Sequence, residues 1–363
     1  MYIRELALQN FRNYNYLNLA LHPGINVFVG DNAQGKTNVL ESIYLCATAR
    51  SHRTNQEREV IMWDETEAHI RLNIQKKYVD DQIDFHMDKR GKGVAINRIP
   101  IKKLVDLLGI LNVVMFSPED LQMIKKGPGE RRRFVDIELS QLDRLYYYGL
   151  QQYHKVLKQR NNLLKNFHST SDARNMLEVW DMQIVEYGTN VINKRKEFIS
   201  KLGMIAREIH FNISGDKEKL EVVYAPSVGI EIYEQKLSSN HDQDIFRRST
   251  SIGPHRDDMT FLINGMDVRI YGSQGQQRTV VLSIKLAQLR MIQEILGEQP
   301  VLLLDDVLSE LDYHRQQFLF AHTQNIQTFI TSTGTEESVW NMQEIGKLFR
   351  VSSGAIAEES CKK

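Results

Sequence analysis

The octapeptide Gly30-Asp31-Asn32-Ala33-Gln34-Gly35-Lys36-Thr37 constrains this chain more than any other segment. It fits the pattern G-x-x-x-x-G-K-[ST] and follows Ile25-Asn26-Val27-Phe28-Val29, a short run that reads as a buried strand. After it, Leu40, Ile43 and Tyr44 recur at helical spacing from Lys36 onward. Strand, glycine-bounded loop and helix in that order imply an α/β fold whose loop wraps a phosphate. The glycines let backbone N–H groups close around the anion, and the helix start adds partial positive charge. In such a loop, residues Gly30 through Asn38 line the nucleotide. Lys36 reaches its β- and γ-phosphates, and the Thr37 hydroxyl binds Mg²⁺.

A second segment strengthens the first. Val301-Leu302-Leu303-Leu304 is apolar and ends in Asp305-Asp306. A buried strand delivering an acid at its tip can hold Mg²⁺ from the side opposite the phosphate loop, which makes Asp305 the metal candidate. Asp306 is then placed to orient or deprotonate an attacking water. Strands ending in acids are common, so this segment gains its meaning from the loop. The third segment is Tyr271-Gly272-Ser273-Gln274-Gly275-Gln276-Gln277-Arg278, just ahead of an amphipathic helix bearing Val280, Ile284, Ala287, Met291 and Ile295 on one face. Ser273, Gly275 and Gln276 there suit a second anion site, and a plain helix cap at Ser273 equally well.

Length and charge limit the remaining possibilities. At about 150 residues per domain, 363 residues imply two domains or three. Lys+Arg and Asp+Glu both number 46, which excludes a uniformly basic coat but leaves room for a local stripe. Lys125, Lys126, Arg131, Arg132 and Arg133 form one such stripe, a DNA-contact candidate that also reads as a solvated face. Lys194-Arg195-Lys196 is a second candidate. His255 and Arg256 fit either a hinge or a phosphate contact. Tyr146-Tyr147-Tyr148 could stack on bases, though packing inside a helical subdomain suits these rings better. Cys46 and Cys361 have no zinc-cluster spacing and read as ordinary thiols of a reducing compartment. No basic-then-apolar leader opens the sequence, and no run approaches the ~20 apolar residues of a membrane span, so a soluble intracellular protein is expected.

Along the chain, the alternation of Ile3, Leu6 and Leu8 with polar residues up to Asn10-Phe11-Arg12-Asn13, and the runs Tyr16 to Leu21, Ala68–Ile74, Ile83–Met87, Val94–Ile96 and Leu111–Phe116, read as strands. From Arg131 to Phe167 and from Arg174 to Ile213 two long helices are expected, joined by a capped turn at Ser169-Thr170-Ser171-Asp172. Phe261-Leu262-Ile263 before Asn264-Gly265 is a hairpin signal. Thr328 to Thr331 reads as a buried strand, and the tail from Ser352 as frayed.

Taken in order, the three motifs resemble the ATPase head shared by ABC-type and SMC-type proteins. Gly272-Ser273-Gln274-Gly275-Gln276 aligns with their L-S-G-G-Q signature, and Ser309-Glu310-Leu311-Asp312 resembles their D-loop. Leu8-Gln9-Asn10-Phe11-Arg12-Asn13-Tyr14 and Lys36-Thr37-Asn38-Val39-Leu40-Glu41-Ser42-Ile43 are similar to the SMC branch. Within it, Phe116-Ser117-Pro118-Glu119-Asp120-Leu121 and Gly253-Pro254-His255-Arg256-Asp257-Asp258 resemble the RecF family, a likeness that covers the whole chain.

That resemblance implies an ABC/SMC-type P-loop ATPase head built from residues 1–116 and 250–363, with a mostly helical lid inserted at 117–249. It implies ATP and Mg²⁺ as cofactors, with Lys36 and Asp306 catalytic, and a cytoplasmic DNA-binding protein of recombinational repair and replication-gap processing. The expected device is an ATP-dependent homodimer in which Ser273 of one copy touches the γ-phosphate held by the other. Implied partners are single-stranded and junction or double-stranded DNA, RecR and RecO, and indirectly RecA. Three departures from the wider superfamily argue for slow hydrolysis: Asp306 where ABC proteins usually carry Glu, Thr331-Ser332 in place of a switch histidine, and Ser117-Pro118 in place of the Q-loop glutamine. A transporter's nucleotide-binding subunit would place its signature closer to the phosphate loop than Ser273 stands from Lys36. An SMC-like tether needs long heptad arms, and a metabolic kinase gives Ser273 no role.

Overall fold

In the computed structural model, residues 1–54, 56–166, 170–334 and 345–359 are described. In chain order these run β1 (Tyr2–Phe11), β2 (Tyr14–Ala20), β3 (Ile25–Val29), α1 (Lys36–Thr48), β4 (Glu67–Gln75), β5 (Asp81–Asp88), β6 (Gly91–Ile96), β7 (Ile99–Pro100) and β8 (Val113–Phe116). Then come α2 (Gln122–Lys125), α3 (Pro128–Leu142), α4 (Arg144–Lys165), α5 (Thr170–Ile213), β9 (Leu220–Ala225), α6 (Tyr233–Ser239), α7 (His241–Arg247), β10 (Asp258–Ile263), β11 (Met266–Asp267) and α8 (Val268–Tyr271). The chain continues through α9 (Gln274–Leu296), β12 (Val301–Leu304), α10 (Tyr313–His322), β13 (Thr328–Ser332), β14 (Ile345–Ser352) and β15 (Ala355–Glu359). Two units emerge: residues 1–120 with 281–363, and residues 121–280.

The first unit holds both ends of the chain. Its six-stranded sheet has the order β15-β14-β3-β13-β12-β8. From β14 to β8 the neighbours are parallel, and β15 closes the edge antiparallel to β14. Apolar runs such as Val301–Leu304, buried along their whole length, are what a parallel sheet covered on both faces requires. A second sheet, β2-β1-β4-β5-β6-β7, is antiparallel and alternates. On β4, Ala68, Ile70, Leu72 and Ile74 turn inward while Glu67, His69, Arg71 and Asn73 turn outward. Helix α1 is buried from Val39 to Thr48, and one apolar cluster joins it to strands of both sheets. A helix apolar on every side belongs inside a core.

The second unit is built around α5, whose 44 residues span about 66 Å at ~1.5 Å per residue. Inside it, Arg160 is fully buried and bonds Asp181 at 2.7 Å, Asp244 at 2.7 Å and Thr250 at 2.9 Å. This ties α4, α5 and α7 to the segment that follows. The unit also carries a small sheet, β11-β10-β9.

Several expectations change. The helix from Arg131 to Phe167 is two helices, α3 and α4, broken at Asp143; Phe167 itself lies outside the described residues. Asp143 has an extended backbone, and its carboxylate accepts from the N–H groups of Leu145 at 2.9 Å and Tyr146 at 3.0 Å, an N-cap that starts a new helix. Thr170, Ser171 and Asp172 belong to α5 rather than to a turn, and Ser169 lies outside the described residues, as does Cys361. Residues 353–359 are not frayed but fold back as β15 through the Ser353-Gly354 turn, both residues at positive φ, and residues 360–363 lie outside the described residues. Residues 250–280 fold with the second unit instead of the head, because β10 pairs along its whole length with β9. Asn264 and Gly265, with φ of 49° and 81°, turn β10 into β11 as the hairpin signal implied.

Candidate nucleotide-binding site

The carboxyl ends of the parallel strands β3, β13 and β12 bring the first unit's chemistry to one edge, the usual place for a ligand in such a sheet. The loop from Gly30 to Gly35 leaves β3 and enters α1. Gly35 sits at φ 117°, and a Cβ there would lie 2.6 Å from Asn13 Nδ2, so only glycine fits both demands. Helix α1 begins with no side-chain cap and no acid in its first turn, which leaves its N–H groups to an anion. Lys36 is 4% exposed, and its Nζ donates to the carbonyls of Gly30 at 2.6 Å and Asp31 at 2.9 Å. The ammonium is thereby held against the loop.

Other segments brace the loop. Asn13 donates to Gln34 O at 2.9 Å and accepts from Asn38 Nδ2 at 2.8 Å, and Tyr14 OH donates to Gly35 O at 3.1 Å. Arg12 binds Glu41 of α1 with two parallel bonds of 2.9 and 2.6 Å. Burial alone would raise the Glu41 carboxyl, but hydrogen bonds from Arg12 and Ser51 outweigh it and hold it below its usual range. From the other end of the chain, Ser353 N–H donates to Gln34 Oε1 at 2.6 Å and Gly354 N–H to Gln34 O at 3.2 Å. This hairpin brace is missed when the tail is read as frayed, although the Ser-Gly pair is itself a turn signal.

Across the sheet edge, the Thr37 hydroxyl donates to Asp305 Oδ1 at 2.9 Å. Adjacent oxygens around a six-coordinate Mg²⁺ with bonds near 2.0–2.1 Å lie about 2.9 Å apart, so this hard oxygen pair fits that ion. Thr331, at the end of the intervening β13, donates its hydroxyl to the same Asp305 oxygen at 2.8 Å and accepts from the Asp306 N–H at 2.9 Å. Burial pushes the Asp305 carboxyl up, against the hydroxyls of Thr331 and Thr37 that pull it down. A divalent cation would supply the missing counter-charge. Asp306 takes φ 51°, an unusual backbone for a non-glycine residue, and is only half-buried. Sequence reasoning treats Thr331 solely as a lost histidine; its hydroxyl links the two acids.

Ser273, Gly275 and Gln276 belong to the second unit. Ser273 Oγ accepts from Gln276 N–H at 3.2 Å, and Gln276 Oε1 accepts from Ser273 N–H at 2.9 Å, a reciprocal capping box. Ser273 and Gly275 remain exposed, beside the exposed side chains of Ile270 and Tyr271.

The basic stripe divides. Lys125 and Lys126 are exposed and Arg133 is half-exposed. Arg131 is not a surface contact: it is 4% exposed, donates twice to Asp258 at 2.6 and 3.0 Å, and binds two backbone carbonyls. Arg132 is half-buried and donates to Asp257 O at 2.6 Å. Arg195, of the second stripe, is likewise buried against Asp136 at 2.8 Å and Pro254 O at 2.7 Å. Lys194 pairs with Asp143, and Lys196 is exposed. These corrections share one cause: Gly253–Asp258 is a hub of buried bonds. A Cβ on Gly253, at φ 123°, would lie 2.4 Å from Tyr233 OH. His255 Nε2 faces the Thr250 carbonyl and so donates, leaving Nδ1 to accept from Tyr153 OH at 2.6 Å. Burial lowers this imidazole to about 4, which keeps it neutral. Tyr146 is buried with its hydroxyl on Asp136, whereas Tyr148 is exposed.

Comparison with known proteins completes the picture. Residues 2–357 match the RecF/RecN/SMC N terminal domain. The chain is 48% identical over 363 residues to the DNA replication and repair protein RecF of Lachnospira eligens, covering 99% of this chain and 100% of that one. It matches the solved structure of the recombination mediator protein RecF-ATP in the RecFOR pathway with a TM-score of 0.91 and 35% identity, over 99% of this chain and 98% of that one. An Smc head domain from Pyrococcus furiosus shares the fold alone, with a TM-score of 0.57 at 15% identity over 99% of this chain and 96% of that one. With the phosphate loop, the acid-tipped strand and the signature helix in place, the chain belongs to the RecF family of DNA replication and repair proteins, on an SMC-type head fold.

Proposed function

We propose that this chain is an ATP-gated DNA-binding protein of recombinational repair and replication-gap processing, acting as a dimeric clamp with slow hydrolysis. The observation that carries this reading is the bonded series Thr37–Asp305–Thr331–Asp306 at the sheet edge. It supports a Mg²⁺ held by the Thr37 hydroxyl and the Asp305 carboxylate beside the uncapped start of α1, with Lys36 meeting the phosphates. When bound, the metal would draw charge from the β- and γ-phosphates; Thr37 and Asp305 would hold it. The half-buried Asp306 orients or deprotonates the attacking water. Its carboxylate, one methylene shorter than the glutamate of ABC proteins, reaches that water poorly, which suits a switch better than a motor.

The relatives' place in recombinational repair supports RecR and RecO as partners, with RecA acted on indirectly, and a cytoplasmic location. Among the described residues no helix is long and apolar enough to cross a membrane. DNA contact falls to the exposed Lys125 and Lys126 and the half-exposed Arg133, not to the buried arginines of the same run.

The testing experiment is DNA binding with ATP, with ADP and without nucleotide, at two or more salt concentrations. Affinity should be highest with ATP. Replacing both Lys125 and Lys126 with alanine should weaken binding and flatten the log–log salt slope by about 2, one per lost phosphate contact. Equal affinity in all three nucleotide states would reject the gating. A slope unchanged by the double substitution would move the DNA surface elsewhere.

Asp306→Asn keeps the shape of the side chain and removes its basicity. Hydrolysis should slow by about 10²-fold, the lower range for a lost general base, while ATP affinity stays within about twofold. Single-turnover hydrolysis alongside equilibrium nucleotide binding separates the two quantities. Wild-type turnover in this variant would limit Asp306 to a structural role.

A further inference from the structure

On the outer face of the antiparallel sheet, β4 and β5 set three residue pairs side by side: Glu67 with Asp88, His69 with His86, and Arg71 with Asp84. Arg71 and Asp84 satisfy each other at 2.5 Å. Asp88 is occupied too, accepting from the Arg90 side chain and from the N–H groups of Arg90 and Gly91 in the turn. The histidines and Glu67 are the set without such closure. His86 Nδ1 lies 3.3 Å from both ring nitrogens of His69, and Glu67 Oε1 lies 3.6 Å from His69 Nε2. One ligand atom from each of Glu67, His69 and His86 falls within 4.8 Å of the others.

We infer that Glu67, His69 and His86 form a binding site for a borderline divalent transition ion, Zn²⁺ in the first instance, that clips β4 to β5. Two ligands on one tetrahedral zinc with bonds of 2.0–2.1 Å lie about 3.3 Å apart, the separation the two imidazoles already have. A tilted packing of the two rings, centroids 4.4 Å apart, accounts for their contact but not for the approach of Glu67 to His69 Nε2. The Glu67 carboxylate is exposed and lies 3.6 Å from His69 Nε2 and 4.0 Å from His86 Nε2, so a rotation of its side chain would bring it onto an ion held by both rings. Both rings are half-exposed and can swing to bring their lone pairs onto one ion. Gly93 stands opposite His86 on β6, and even a Cβ there would meet nothing within 4 Å, so that swing is unobstructed.

Asp88 completes the outer layer. Its carboxylate lies 3.7 Å from His86 Nε2, the nitrogen opposite the proposed ligand atom, which is where a carboxylate fixes a metal-bound imidazole. Three protein ligands leave the fourth position to water. The two imidazoles favour zinc over magnesium, whereas the hydroxyl and carboxylate of the nucleotide edge suit magnesium.

The test is calorimetric titration of chelator-treated, nucleotide-free full-length protein with ZnCl₂, on wild type, His69→Ala, His86→Ala and Glu67→Gln. Wild type should bind one equivalent, and each variant should lose at least about tenfold in affinity, since even outer-layer changes cost that much. Zinc should also raise the melting temperature of wild type and not of the variants. Melting without zinc checks that each variant folds; the three substitutions are independent, so one unfolded variant leaves two to decide. Failure of wild type to bind, or equal binding by folded His69→Ala and His86→Ala, overturns the site. Neither result bears on nucleotide or DNA binding.

Discussion

Lys36→Ala should lose ATP binding by at least about tenfold and, with it, ATP-dependent DNA association. Each charge-assisted bond to a phosphate oxygen is worth about 1.5–3 kcal/mol, and this ammonium is positioned to make more than one. Its Nζ is held against the loop by Gly30 O and Asp31 O, 2.6 and 2.9 Å away, so the side chain is in place before any nucleotide arrives. Lys36→Arg should fail as well, because a planar guanidinium does not fit a position shaped for a compact ammonium, itself 4% exposed. Nucleotide affinity by fluorescence titration, beside the melting temperature without nucleotide, separates lost binding from lost folding. Unchanged affinity in both variants would remove the phosphate-loop assignment.

The parts legible in the sequence share one property: local chemistry decides them. The loop at Gly30–Thr37 needs its glycines in place whatever surrounds it. The Val301–Leu304 run needs a sheet covered on both faces, and the Asn264-Gly265 turn carries its own backbone preference. Most of what stayed hidden depends on distant partners. Arg131 reads as a surface cation until β10 brings Asp258 beside it, and Arg195 until Asp136 and the Pro254 carbonyl close around it. A charge run gives no sign of which members find buried acids. Thr331 matters because β13 lies between the two strands that carry the site, an order that no spacing reveals. The break at Asp143 has a local cause, since the capping carboxylate is in the sequence; helical periodicity on both sides masked it.

The signature helix carries the second large effect. Ser273 is exposed at the start of α9 and caps it reciprocally with Gln276, which leaves a helix N-terminus in solvent with the exposed Ile270 and Tyr271 beside it. Such a start favours an anion supplied from outside. In our account that anion is the γ-phosphate held by Lys36 and Thr37 of a second copy, so ATP joins two chains that are otherwise separate. A ligand shifts an equilibrium only by its differential affinity, and ADP lacks the group that Ser273 reads. Ser273→Arg fills the contact with a long side chain and leaves Lys36 and Thr37 untouched, so it should abolish the dimer while each copy still binds ATP. Sedimentation velocity with ATP, with ADP and without nucleotide, on wild type and Ser273→Arg, reads this directly. The account predicts a dimer only for wild type with ATP. A dimer that forms equally without ATP, or that survives Ser273→Arg, would contradict it.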